Sequence, residues 1–182
     1  MIMSGILAAV ALLTDSIPVL IGSMVIAPAL PPLALVAFAV VDRQPKLALK
    51  GFISAFIGLG AALIASLVTT WMLNVTHVIP AETNLLEKTL LEERVSVGWY
   101  SVIAAVAAGI SGTIGLMERK KDTLVGVVAA LALVPAGAAA AIAFLSRDPI
   151  RGWGGLSLLG LNAVLIIVSG IVTLLLIRPG KD

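Results

Sequence analysis

The chain has 182 residues, of which 60% are apolar and 12% charged, and its mean hydropathy is +1.14. Soluble domains carry about 25% charged residues, so this composition points to lipid as the solvent. Cysteine is absent, which excludes disulfide and thiol chemistry. The net charge is only +2, with the basic residues in short loops, which argues against nucleic-acid binding.

The opening MIMSGILAAVALL has no basic n-region and no small-residue cleavage site, so it reads as a retained membrane segment. A helix needs about 20 apolar residues to cross roughly 30 Å of hydrocarbon. Residues 1–41 contain a single charge among the first 41, Asp15, and are too long for one crossing. The Thr14-Asp15-Ser16 triplet before Pro18 predicts a turn and a helix start, because Asp or Ser caps free N–H groups and proline suits the first turn. That divides the region into a short segment, 2–14, and a longer one, 17–41.

Four more apolar runs follow, at 51–73, 95–117, 123–145 and 153–177. The expected fold is therefore an all-α integral membrane protein, a single transmembrane domain over 1–182 with about six transmembrane helices. Five crossings plus a re-entrant first segment is the alternative.

Lys and Arg orient such a chain. Arg43, Lys46, Lys50, Arg119, Lys120, Lys121, Arg178 and Lys181 fall on one side; Lys88, Arg94, Arg147 and Arg151 fall on the other. Both termini are thus expected in the cytoplasm of a cell that carries the chain in its plasma membrane. The 74–94 loop faces outward. Within it PAETNLLEKTLLEER is amphipathic, with Asn84 and Glu87 at capping-box spacing, and reads as an interfacial connector or a lid.

Two runs carry a similar interruption. Aligning VLIGSMVIAPALPPLALVAF (19–38) with TLVGVVAALALVPAGAAAAI (123–142) sets Gly22 over Gly126 and Pro31 over Pro135, with five identities in twenty positions. Interrupted hydrophobic segments at corresponding places in two halves point to a transport site. Three spans per half, 1–73 and 95–177, would give the halves opposite topologies. The expectation is a 3+3 inverted repeat with Pro-broken helices two and five.

LLTDSIPVLIGSMVIAPALPPL (12–33), AAVAAGISG (104–112), GVVAALALVP (126–135) and LNAVLIIVSG (161–170) together resemble a prokaryotic polytopic membrane family, domain of unknown function 389. The resemblance covers roughly residues 5–175. It implies a multi-span membrane protein without an established activity. Two departures stand out: Ala136 occupies the place of a second proline after Pro135, and the sequence opens directly on an apolar segment where many relatives carry a soluble one.

Candidate pathway residues are Asp15, Gly22, Pro28, Pro31, Pro32, Pro135 and Asn162. Asp15 is either a proton-coupling carboxylate at membrane depth or a cap near the interface, and its position after a short segment favours the cap. The Pro28-Ala29-Leu30-Pro31-Pro32 cluster frees carbonyls that a cation could use, and the helix that resumes aims a dipole end at an anion; the competing reading is a packed kink. Asn162 is the only amide in the last span, and Ser54, Ser66, Thr69 and Thr70 lie in the third. These polar groups either complete a site or tie helices together. Gly109, Gly112 and Gly115, with Ala105, Ala108 and Ser111, have small-xxx-small spacing, which serves packing within the bundle or a homo-oligomer face.

His77 is the lone histidine and has no Cys or carboxylate cluster, so no metal site is expected. GWGG at 152–155 lacks the lysine and strand of a phosphate loop. The expectation is not an enzyme and carries no cofactor. It is a transporter or channel for a small solute or ion, the alternative being a non-transporting scaffold, assembly partner or sensor.

Overall fold

The computed structural model describes residues 1–76, 98–117, 123–146 and 150–177. It contains α1 (Ile2–Thr14), α2 (Ile17–Ile26), α3 (Leu30–Val41), α4 (Pro45–Val75), α5 (Trp99–Met117), α6 (Thr123–Phe144) and α7 (Ile150–Ile177), with no strand among the described residues. His77 and the amphipathic 80–94 segment lie outside the described residues.

Local chemistry sets the turns. α1 stops where Asp15 adopts the left-handed conformation (φ 54°, ψ 39°) and Ser16 N–H returns to Ala11 O at 2.9 Å. Asp is one of the few residues that visits this region at modest cost. Pro18 stands in the first turn of α2, as its fixed φ and missing N–H allow. α2 ends because Ala27 precedes Pro28 and is driven to an extended conformation (φ −85°, ψ 109°). α3 resumes at Leu30 with Pro31 and Pro32 in its first turn, bent 49° from α2. A second tight turn, with Arg43 at φ 52°, leads into α4 through Pro45.

Three of these helices, α4, α5 and α7, are long and apolar enough to cross a membrane, and α2 with α3 makes a fourth as one bent span. α1, at 13 residues, is shorter than a crossing. The six expected crossings thus reduce, among the described residues, to three or four that meet the requirement of length and apolarity.

The expected break in the fifth span is not there. α6 runs as one helix from Thr123 to Phe144 with Pro135 inside it. It packs against each of the six other helices among the described residues, and every residue from Leu133 to Ala143 is buried. A helix that is apolar all round belongs in the centre. Ala136, Ala138, Ala139, Ala140 and Ala141 let the neighbours approach it closely.

Glycines set the closest crossings. A Cβ on Gly5 of α1 would collide with the backbone of Ala62 in α4, and one on Gly109 of α5 would collide with Ile166 and Ser169 in α7. A Cβ on Gly51 of α4 would lie 2.9 Å from Pro32 O and from Val36 of α3; one on Gly155 of α7 would lie 2.9 Å from Ala140 of α6. A single step of 104 residues carries Gly5 to Gly109, Ala62 to Ile166, Gly51 to Gly155, Val36 to Ala140 and Pro31 to Pro135.

Exposed apolar side chains cover the outside, among them Phe52, Phe56, Ile57, Ile64, Ile103 and Val164. Such a surface is what lipid requires. All three tryptophans and the one tyrosine stand near helix ends: Trp71 late in α4, Trp99 and Tyr100 opening α5, Trp153 near the start of α7. Amphipathic rings of this kind favour the headgroup level. Trp153 meets Phe144 edge-on at 5.8 Å and fastens α7 to the end of α6.

Candidate functional site

The interruption between α2 and α3 is the most unusual backbone in the described chain. It falls in the middle of the bent span Ile17–Val41. Prolines have no N–H, so Pro28, Pro31 and Pro32 withdraw the donors that the Met24, Ala27 and Pro28 carbonyls would receive four residues on. Met24 O takes the Ala27 N–H instead at 3.2 Å, and Ala27 O takes the Ala29 N–H at 2.9 Å. The first turn of α3 keeps N–H groups only at Leu30 and Leu33, with no side-chain cap.

The break has two sides. Met24, Ala27, Ala29 and Leu30 are buried in one apolar cluster with Leu33, Leu133, Val134 and Ile166. Pro28 and Pro31 are exposed, and Pro32 is half-buried.

α1 and α2 form a helical hairpin about Asp15. Ten residues back from Thr14 lies Ser4, and ten residues on from Ile17 lies Ala27. At 1.5 Å rise per residue each lies about 15 Å along the chain direction from the turn. Ser4 is fully buried, and its Oγ has no hydrogen-bond partner among the described residues. Its neighbour Gly5 offers its carbonyl to Ser66 Oγ of α4 at 2.8 Å.

The other buried hydroxyls are committed as donors. Ser23 Oγ donates to Leu20 O at 2.6 Å, Thr70 to Ser66 O at 2.8 Å and Thr113 to Gly109 O at 2.7 Å. Ser169 donates to Leu165 O and Thr173 to Ser169 O, both at 2.7 Å. A hydroxyl has one hydrogen, so what these groups retain is lone pairs.

The residues expected to share a pathway fall in different surroundings. Asp15 is exposed at the α1–α2 turn, where it serves as the left-handed C-cap of α1. Ser16, not Asp15, occupies the N-cap of α2, and it makes no side-chain cap bond. Gly22 is half-buried, and a Cβ there would meet nothing within 4 Å. Pro135 is fully buried at the centre, and Asn162 is 1% exposed on α7. In α4, Ser66 and Thr70 face the interior and Ser54 is exposed. Gly109 and Gly112 spend their small size inside the bundle, Gly112 against Leu30. Ser4 and the crossings at Gly5, Gly51 and Gly155 were not anticipated; the common spacing of those glycines and Gly109 was the available signal.

Hollows among the described residues lie elsewhere. One, of about 460 Å³, is at the α3–α4 turn and is lined by Arg43, Gln44, Pro45, Lys46, Leu47 and Lys50. Another, of about 390 Å³, is an apolar groove between α5 and α7 that includes Ile110, Val168 and Val172. Neither is lined by Pro28, Pro31, Pro32, Pro135 or Asn162. Among the described residues no three His, Cys, Asp or Glu side chains cluster as metal ligands do.

These features define an all-helical protein with several membrane-length apolar helices around a buried central one. The chain belongs to the family described as domain of unknown function (DUF389), whose model matches residues 24–168. It is 29% identical over 174 residues to the uncharacterized protein MJ0678 of Methanocaldococcus jannaschii, a match that covers 94% of this chain and 51% of that protein. The chain thus spans about half the length of this relative. No solved structure matches it.

Proposed function

We propose that the protein is a transporter or channel for a small solute or ion in a prokaryotic cell membrane. The observation that carries this reading is the α2–α3 interruption. Irregular backbone at membrane depth is tolerated only where protein buries it or it lines water, and discontinuous helices are where transporters build their sites.

The finer architecture belongs to the same proposal. It has six crossings, with α1 and α6 completing the count, both termini cytoplasmic, and inverted repeats over 1–73 and 95–177. The 104-residue step supports the repeat, since it relates glycine crossings between first and third helices, and between second and third, in both halves. Each half then has three crossings, and an odd number reverses its orientation. The chain has no native cysteine, so single introduced cysteines probed from each side of sealed vesicles test the topology. Labelling of both ends from the same side as residue 46 fits; opposite ends overturn the six-span plan.

Flux tests the activity. Purified chain in proteoliposomes is assayed with ions and small solutes, comparing wild type with Pro31→Ala, Asp15→Asn and Asn162→Ala. Pro31→Ala is expected to change flux most. Asp15, exposed at a turn, is expected to matter least.

A second reading has its own support. The buried side of the break meets Leu30, Leu33, Leu133 and Val134, the surroundings of a packing kink. On that reading the protein is a scaffold or assembly partner, and no screened solute crosses the vesicles.

A further inference from the structure

We infer that the α3–α4 turn holds the headgroup of an anionic phospholipid, with Arg43, Lys46 and Lys50 on its phosphate and an exposed apolar row of α4 along its acyl chain. The inference is independent of transport and needs only that α4 spans the bilayer. Depth comes first. α4 has 31 residues, so it runs about 46 Å, against roughly 30 Å of hydrocarbon. Trp71 is exposed late in α4, where an indole favours the headgroup level. Counting back about 30 Å at 1.5 Å per residue takes about 20 residues and reaches Gly51. Lys46 and Lys50 therefore stand at the headgroup level of the opposite leaflet, and the turn stands with them.

The hollow of about 460 Å³ at this turn is lined by three cations and no carboxylate; the adjoining Asp42 is not among its lining residues. All three cations are exposed. Their frame is fixed. Asp42, Arg43 and Gln44 N–H return to the Phe38, Val40 and Ala39 carbonyls at 2.9, 3.2 and 2.8 Å, and the close crossing at Gly51 holds α4 to α3 directly after Lys50. The helix end itself offers little, because Pro45 has no N–H and the Leu47 and Ala48 N–H groups both turn back to Gln44 O at 3.0 Å. Recognition thus falls to the side chains, two ammonium groups and a guanidinium suited to phosphate. Basic residues at a turn also orient a membrane chain, so the apolar continuation is what selects a lipid. Lys46 and Lys50 share a helix row with Ile53 and Ile57. Both isoleucines are exposed, and so is Phe56 beside them. One row is cationic at headgroup depth and apolar at acyl depth, the same division as in a phospholipid. Free phosphate would leave the apolar part unused.

The test titrates the full chain in a neutral detergent with phosphatidylglycerol, with phosphatidylcholine of the same acyl chains and with inorganic phosphate, read by thermal unfolding and native mass spectrometry. A saturable rise in Tm and a retained lipid are expected with phosphatidylglycerol, bound more tightly than phosphatidylcholine. Each basic residue near an anionic surface is worth about fivefold, so Lys46→Gln/Lys50→Gln should weaken phosphatidylglycerol binding about 25-fold. Both side chains are exposed, so the fold should survive the change. Arg151→Gln, at an exposed cation in the first turn of α7, should leave binding unchanged. Equal affinity for the two lipids overturns the inference, as does an unchanged affinity in the double variant. A loss with Arg151→Gln as large as with the lysines marks diffuse charge and overturns it too. Inorganic phosphate that stabilises the chain as well as the lipid does assigns the hollow to a free ion and overturns the lipid.

Discussion

The α2–α3 segment and α6 stand at corresponding positions, Pro31 one 104-residue step from Pro135, yet one is broken and the other continuous. The contrast shows what proline does when its surroundings differ. A lone proline removes one helical hydrogen bond and clashes with one carbonyl, a cost of about 3 kcal/mol. Six packed neighbours hold α6 through that defect. Three prolines within five residues withdraw three donors and also restrict the residues before them. One face of that segment is exposed, so nothing restores the helix.

The largest expected effect tests whether the two halves share a packing plan. Gly5→Leu and Gly109→Leu each force a side chain into a facing helix backbone. Each should cost 3 kcal/mol or more, at the upper end of overpacking (about 1–3 kcal/mol, occasionally higher), and lower the unfolding temperature alike. A benign Gly109→Leu beside a damaging Gly5→Leu would break the correspondence.

The next effect separates the two proline sites. Pro135→Ala should keep α6 straight or straighten it and raise stability by about 1–2 kcal/mol, the restored hydrogen bond outweighing a small cavity. A paired Pro31→Ala/Pro32→Ala change should instead reduce the 49° bend, read as a longer spin-label distance between residues 17 and 41. If the bend stays, packing and not proline sets it.

Ser66→Ala removes the hydroxyl bond to Gly5 O. Its 104-residue counterpart is Gly170, which cannot make that bond. The loss should be about 0.6–1.7 kcal/mol, measured by thermal unfolding, and confined to the α1–α4 crossing. Gly22→Ala is the smallest. Its Cβ meets open space, so the change should be neutral to about 1 kcal/mol stabilising through helix propensity. A destabilising result would mean that something seats on that face.

Much of the helical plan was legible. The turn at Asp15, the break near Pro28, the end of α5 and the start of α6 follow from prolines, capping residues and apolar run lengths, all local properties. Helix α4 extends six residues before its expected start, because Pro45 at its N-terminus tolerates a helix that carries Lys46 and Lys50 at its solvated end. The site was legible only in part. Pro28, Pro31 and Pro32 announce a break by their missing N–H groups, but Ser4 carries no local sign of being buried.

By itself the sequence determined the solvent, through 60% apolar residues with few charges, and the points where helices must stop. Both depend on side-chain transfer energies and on φ, ψ and N–H chemistry within a few residues. Only the tertiary structure decided which proline breaks its helix, that α6 is the buried centre, and that Gly5 meets Ala62 as Gly109 meets Ile166. Those outcomes depend on neighbours far apart in sequence, whose packing either supplies or withholds the support a weakened helix needs.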